Sequence, residues 1–313
     1  MKLLVIAFRA GFGLLVLQFL FPVAVNAATC SCAGVPLLSA IDTSSTQPGD
    51  LYFNLTTEAH EINDLVQGTK DISDETRRAR SSLSQVASLN YGLADNWAIS
   101  GLVSYIEHSR KIGSSFLGEQ NSSGLGDGVI LLRYTPRYIT PFSRHEISMG
   151  LGARLPIGKD DAGGVVPLAE DMQPSSGSVG KIFWSSYSYA FDQAATKQFS
   201  VSANYTLNDD ENDRDYSLGD EFNFALGFSQ SVGTKFGYSA ALRYRETTAD
   251  ERFGFDIPNS GGQWLDFVPA VQYSVSDKVN IGLSGRVPLA RDLDGALQFT
   301  TSYSYAFTMT YAL

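Results

Sequence analysis

The sequence predicts an all-β protein: a transmembrane, antiparallel, up-and-down β-barrel of about 12 strands, both termini in the periplasm. Three observations carry that reading. The chain ends in an unbroken two-residue alternation: Tyr303, Tyr305, Phe307, Met309, Tyr311 and Leu313 against Ser302, Ser304, Ala306, Thr308, Thr310 and Ala312. One face of such a strand is large and apolar, the other small or polar. The run is about twice the length of an ordinary soluble strand, and roughly ten residues is what a tilted strand needs to cross the hydrocarbon layer. The same striping recurs on about eleven earlier segments. Finally, short turns and long polar loops alternate, as short periplasmic turns and longer external loops do. A soluble β-sandwich would share the striping but neither the strand lengths nor the loop asymmetry.

The N-terminus fits export. Lys2 and Arg9 precede an apolar run from Ala10 to Val25, and Val25-Asn26-Ala27 supplies small residues at cleavage positions. Residues 1–27 therefore read as a signal peptide. Beyond it no run is apolar enough for a membrane helix, whereas a barrel hides its apolarity in alternation. Residues 28–48 lack either periodicity and read as a periplasmic leader or short plug; residues 49–313 read as the barrel. In the oxidising periplasm Cys30 and Cys32 form a disulfide as the first reading. One intervening residue puts their Cα spacing near the upper limit of about 6.8 Å. A strained bond or a soft-metal contact such as Cu(I) is the second reading, and lipidation of Cys30 the last. Two thiols alone make an incomplete zinc site. No cofactor is called for.

The chain's 19 Phe, 15 Tyr and 29 Gly suit interfacial girdles and tight turns. Its net charge of −10 and the lack of a basic patch exclude nucleic acid as a partner.

The strands follow in order. Leu51, Phe53, Leu55 and Thr57 alternate with Tyr52, Asn54 and Thr56 in the first, and a charged loop runs on to about Arg80. The second carries Leu83 to Leu93, turns at Ala94-Asp95-Asn96, and leads into Trp97, Ile99, Val103 and Tyr105 of the third. A polar loop, 107–124, precedes the fourth, where Asp127, Val129, Leu131 and Arg133 oppose Ile130, Leu132 and Tyr134. The fifth shows Ile147, Met149, Leu151, Ala153 and Leu155, and a long loop spans about 156–177. The sixth, from Val179 to Phe191, has no clear inward face. The seventh has Phe199, Val201, Ala203, Tyr205 and Leu207, followed by an acidic loop at 208–215. Phe222, Phe224, Leu226 and Phe228 mark the eighth; Phe236, Tyr238, Leu242 and Tyr244 the ninth. A polar loop, 246–262, leads to Leu265, Phe267, Val271 and Tyr273 of the tenth. Ser276-Asp277-Lys278 turns into the eleventh, with Val279, Ile281, Leu283 and Val287, and a loop at 290–296 leads to the closing strand.

Charge placement gives the candidate site. An arginine facing lipid at the midplane costs about 2–4 kcal/mol, so Arg243 and Arg245, flanking Tyr244, must point into the lumen. The same logic puts Arg133, Arg154, Arg286, Glu146 and Asp266 inside. Arg154, Arg243, Arg245 and Arg286 fall toward the outer end, with Asp266 at a similar height and Lys181 placed among them. This zone either filters a solute or is a salt-bridged filling, with Asp266, Glu146, Glu221 or Glu246 as partners; a narrow barrel favours the filling, and both roles are compatible. The small Ser, Ala and Thr face of the closing strand is expected to be the least obstructed wall. Leu155-Pro156-Ile157-Gly158-Lys159-Asp160 and Val287-Pro288-Leu289-Ala290-Arg291-Asp292 echo one another, and proline is expected to end pairing at the rim in both.

Gly124-Leu125-Gly126-Asp127-Gly128, the striped strand after it, Leu155 to Asp160 and the Tyr91 to Trp97 hairpin together resemble outer-membrane proteins of the "MetA pathway of phenol degradation" family. The resemblance implies a barrel passing small, often hydrophobic molecules, and no catalytic residues. The expected function is thus an outer-membrane channel for small, hydrophobic or aromatic solutes by passive diffusion. Its partners would be the solute, outer-membrane lipid and the barrel-assembly machinery. A barrel enzyme acting on lipid at the external rim, with His108 as base and Ser109 as nucleophile, is the alternative, followed by an adhesive barrel. His60, His108 and His145 otherwise read as solvated residues near strand ends.

Overall fold

The computed structural model describes residues 47–74, 78–113, 118–136, 144–163 and 165–313. The expected signal peptide, residues 1–27, and the pair Cys30 and Cys32 lie outside these residues, as does all but the end of the 28–48 segment. Each long striped run becomes a wall strand, and several charged loops fold into short strands above the wall. In chain order the first strands are β1 (Leu51–Glu61), β2 (Asp64–Gly68), β3 (Lys70–Ile72), β4 (Arg78–Ala94), β5 (Trp97–Ile112) and β6 (Glu119–Leu125). Next come β7 (Gly128–Tyr134), β8 (His145–Leu155), β9 (Gly180–Ala190), β10 (Lys197–Leu207), β11 (Tyr216–Ser217) and β12 (Glu221–Val232). The last are β13 (Phe236–Thr247), β14 (Glu251–Arg252), β15 (Phe255–Asp256), β16 (Gly262–Ser274), β17 (Val279–Thr300) and β18 (Tyr303–Ala312).

Twelve of these close a barrel in the order β16, β13, β12, β10, β9, β8, β7, β5, β4, β1, β18, β17, with β17 pairing back to β16. Every pairing in the wall is antiparallel. The first and last wall strands meet in register, Thr56 opposite Thr308, so no sheet edge is left for lipid to desolvate.

Parity sorts the side chains. Leu89, Val103, Met149, Leu151, Phe183, Leu283 and Phe307 point outward and are exposed. A soluble protein rarely tolerates so continuous an apolar surface, whereas the acyl chains of a bilayer cover it. Near the periplasmic turns this surface carries ring contacts: Trp97 with Tyr134 at 4.8 Å, Tyr189 with Phe191 at 5.2 Å, and Phe191 with Phe228 at 6.2 Å. That is the aromatic girdle expected at a membrane interface. A tightly packed apolar group lies inside instead: Val86, Leu102, Ile106, Val129, Leu131, Ile182 and Trp184.

Three expectations need correction. The 107–124 segment is not wholly a loop: β5 runs on to Ile112 and β6 folds back on it, with His108 opposite Ser122. Part of the 58–80 segment forms the β2–β3 hairpin, which pairs with the far end of β17 through Leu65 and Phe299. Pro156 does follow the end of β8, but Pro288 does not end β17, which runs for 22 residues. Proline lacks an N–H, and the wall accommodates it with a register shift: Pro288 faces Asp266 whereas Ala290 faces Leu265.

Candidate functional site

The site is the lumen and its outer mouth. The inward parity of β13, β16 and β17 brings Arg243, Arg245, Asp266 and Arg286 to one crevice, whose free space of about 20 Å³ holds roughly one water. Arg286 donates to Glu58 at 2.8 Å, and Ser304 donates to the same carboxylate at 3.2 Å. The His60 Nε2 is also 3.2 Å from Glu58. Arg243 donates to the Asn223 amide oxygen at 2.8 Å, and the Arg245 guanidinium lies 4.1 Å over the Trp264 ring. The indole N–H of Trp264 in turn donates to Thr300 at 3.0 Å. The arginines are therefore held by neighbouring groups, with Glu58 as a carboxylate partner outside the expected set.

The other expected residues are dispersed. Arg154 does face inward, on the opposite wall, 3.3 Å from Asp127. Arg133 is buried inside near the periplasmic end of β7. Lys181 is not in the lumen. The strand that carries it buries Ile182 and Trp184, so Lys181 points to the outer face and pairs with Asp209 at 2.7 Å. That hydrogen bond holds the exposed Asp209 carboxyl below its ordinary range.

The histidines also differ from the solvated positions expected. His60 and His108 are buried inside, whereas His145 is exposed and its Nδ1 lies 2.8 Å from the Tyr187 hydroxyl. Ser109 alternates with His108, so its side chain takes the outer face and donates to Glu119 at 3.4 Å. Adjacent residues on opposite faces cannot act as a base–nucleophile pair.

The sequence reading did not assign the mouth. The segment 170–178 folds inward from the loop after β8, burying Met172, Ser175 and Ser178. Arg80 donates to Asp171 at 2.7 Å, Arg110 donates to the same carboxylate at 3.3 Å, and Ser122 donates to the Met172 carbonyl at 2.5 Å. Asp127 completes the attachment by accepting from the Ser175 hydroxyl at 2.6 Å and from the Ser176 N–H at 3.0 Å. Side chains at two glycines would forbid it. A Cβ on Gly126 would lie 2.4 Å from the Ser104 hydroxyl and 3.0 Å from the Pro174 carbonyl; one on Gly158 would lie 1.7 Å from the Leu125 carbonyl. The Gly-Leu-Gly-Asp-Gly stretch thus seats this segment against the wall.

Further loops tie to the same turn. Arg214 donates to Glu170 and also pairs with Asp160 at 3.5 Å, and Arg252 reaches Glu170 at 2.8 Å. The bond to Glu170 raises the pKa of Arg214, so its charge is secure. Tyr216 donates to Asp250 at 2.5 Å; burial, then the Asp250 charge, push the phenol's pKa well up, so it remains a donor.

Below the arginine crevice the lumen is asymmetric. On the wall from β10 to β18, the small inward residues Ser200, Ala225, Ala241, Ala270, Ser284 and Thr308 keep solvent exposure. On the wall from β4 to β9, Ser84, Ser100, Ser104, Leu131 and Ser148 are almost fully buried. Space lies along the first wall. The closing strand shares in it through Thr308 and Thr310, but its Ser304 and Ala306 are buried.

Comparison with known proteins agrees with this geometry. The family described as "Putative MetA-pathway of phenol degradation" matches residues 80–292. The fold is similar to that of an outer membrane channel from Pseudomonas putida F1, with a TM-score of 0.71, 11% identity, and coverage of 87% of this chain and 98% of that one. It is also similar to the β-domain of the Bordetella autotransporter BrkA, with a TM-score of 0.50, 12% identity, and coverage of 85% and 100%. No curated protein sequence matches the chain.

Proposed function

The match spans more than half of the chain, so the protein belongs to the family described as "Putative MetA-pathway of phenol degradation", and from that premise we propose a passive outer-membrane channel for small solutes, hydrophobic or aromatic ones included. The observation that carries the reading is the asymmetry of the lumen. One wall holds a cluster of buried apolar side chains, while the other presents small side chains with residual exposure below a zone of arginines. A barrel built only as a rigid anchor gains by filling both walls, because buried apolar contact stabilises and an unfilled lumen does not.

The arginine zone sets what enters. Arg243, Arg245 and Arg286 stand against Glu58 and Asp266, so small solutes meet a polar, nearly balanced constriction, and charged groups there tune selectivity. The inward segment 170–178 narrows the mouth from the opposite wall. The outer face, apolar with aromatic girdles, meets lipid; an antiparallel closed barrel of this kind would be inserted by the barrel-assembly machinery. No catalytic step belongs to this reading.

Proteoliposome swelling tests it. Vesicles carrying the full mature chain are expected to swell in isosmotic solutions of small neutral solutes such as phenol-sized alcohols, faster than vesicles without protein. Swelling rates equal to those of empty vesicles, for every small solute tried, would overturn the channel reading.

A further inference from the structure

A cavity of about 510 Å³ opens at the outer mouth, between the ends of β4 and β5, the 3-10 turn at Glu170–Met172, and the loop that carries β14 and β15. Its size lies within the roughly 300–1,000 Å³ of small-ligand pockets. The lining is unusual for so acidic a chain: four guanidiniums, those of Arg78, Arg80, Arg110 and Arg252, converge on it. The carboxylates present are shared among them. Asp171 serves both Arg80 and Arg110, and Glu170 serves both Arg214 and Arg252. Asp250 is engaged elsewhere, accepting from Tyr216 and from the Gly219 N–H at 2.8 Å.

Arg78 is the exception within this group. Among the described residues no carboxylate lies within ion-pairing distance of its guanidinium, which rests 5.3 Å over the Phe299 ring. Its Nε is buried and has no hydrogen-bond partner. A guanidinium offers five N–H donors; Arg80 and Arg110 spend theirs on Asp171 and Gln120, whereas no side-chain hydrogen bond engages Arg78 among the described residues. The lining also carries an apolar part, Ile62, Ile257, Pro258 and Phe299, beside the polar Asn259 and Ser260.

We propose that this cavity is a binding site for a small organic anion with an apolar body. The anion's carboxylate takes the free donors of Arg78 at the arginine side of the cavity, and its body lies between Phe299 and Ile257. The inference rests on the channel reading, because a site at the outer mouth concentrates solute immediately above the lumen. It goes further in naming a charge class: an acid in preference to its neutral counterpart of the same size. Two features favour an anion over a neutral solute. A half-buried guanidinium with no ion-pair partner among the described residues gains from a counter-charge, and hydrogen bonds to charged groups are about twice as strong as neutral ones.

Calorimetric titration of the refolded full-length barrel in detergent with sodium benzoate, and separately with benzyl alcohol, tests the site. Saturable benzoate binding at least tenfold tighter than benzyl alcohol binding is expected. Arg78→Gln should weaken benzoate binding at least tenfold, and Arg78→Lys should recover part of it. If Arg78→Gln does not fold, as judged by heat-resistant migration on a gel, Arg252→Gln at its half-exposed position reads the same site with a smaller loss. Benzoate binding no tighter than benzyl alcohol binding would overturn the proposal. So would wild-type affinity in folded Arg78→Gln, or in Arg252→Gln should Arg78→Gln not fold. Ionic conductance of the wild-type protein separates the two ideas: conductance without benzoate binding removes this site and leaves the channel, whereas binding without conductance does the opposite.

Discussion

The two walls of the lumen follow one rule of alternation and end up with opposite characters. From β4 to β9 the inward positions bring Val86, Leu102, Ile106, Val129, Leu131, Ile182 and Trp184 together with serines, nearly all buried, and anchor the segment that folds into the mouth. From β10 round to β18 they hold Ser, Ala, Thr and Gly below, and arginines with Asp266 above, next to Glu58 of β1. Both patterns read as striped strands, because lipid constrains only the outward positions. The inward positions are free to be packed or left open, and this barrel does one on each side. The difference teaches that one closed barrel can keep a packed wall and an open wall under the same outward pattern.

Substitutions that exchange or erase the difference should therefore have unequal effects. The largest is expected at the mouth. Asp171→Ala removes the carboxylate shared by Arg80 and Arg110, and loss of one partner from a buried ion pair costs about 3–5 kcal/mol. A lower urea midpoint and noisier, larger currents from a released 170–178 segment are the expected readouts. Next comes the packed wall. Leu131 is fully buried, so Leu131→Ala should cost about 2–5 kcal/mol, whereas Ser284→Ala on the open wall should change stability by less than about 0.5 kcal/mol. Equal urea midpoints for those two variants would erase the distinction between the walls.

Smaller effects concern ions. Arg286→Gln leaves Glu58 without its guanidinium, so the reversal potential in a KCl gradient should move toward cation preference, and Glu58→Gln should move it the other way. Smallest is Lys181→Gln. That side chain sits on the outer face with Asp209, and its loss should leave the reversal potential unchanged. A shift as large as that of Arg286→Gln would place Lys181 in the ion path after all.

The legible parts of the sequence were those under a single strong constraint. Lipid demands apolar outward positions, so the wall strands, their number and the inward facing of Arg243, Arg245 and Arg286 followed from alternation. Where constraints mix, the pattern failed. Strand β9 alternates large residues on both faces because Ile182 and Trp184 pack inside while Phe183 meets lipid, so its striping does not fix the face of Lys181, which points outward. Above the membrane the requirement lapses. Polar segments such as Glu119–Leu125 and Asp64–Gly68 therefore gave no striping, although they form strands by pairing with extensions of β5 and β17. Glu58 and His60 were missed for a related reason: charged residues marked the end of an assigned strand that continues past them, facing inward. Asp127 did carry a signal. It is an acid inside a run of glycines on the inward parity of a wall strand, a position that calls for a specific donor.

Single-channel recording in planar bilayers tests the central claim most directly, with the wild-type chain compared against Ser284→Trp. Ser284 faces the lumen between the small residues Ala270 and Ala306, so a tryptophan there must project into the proposed passage. Discrete conductance steps from the wild type, and markedly smaller steps from a variant of similar stability, are expected. No steps from the wild type, or steps of equal size from both, would contradict a passage along that wall.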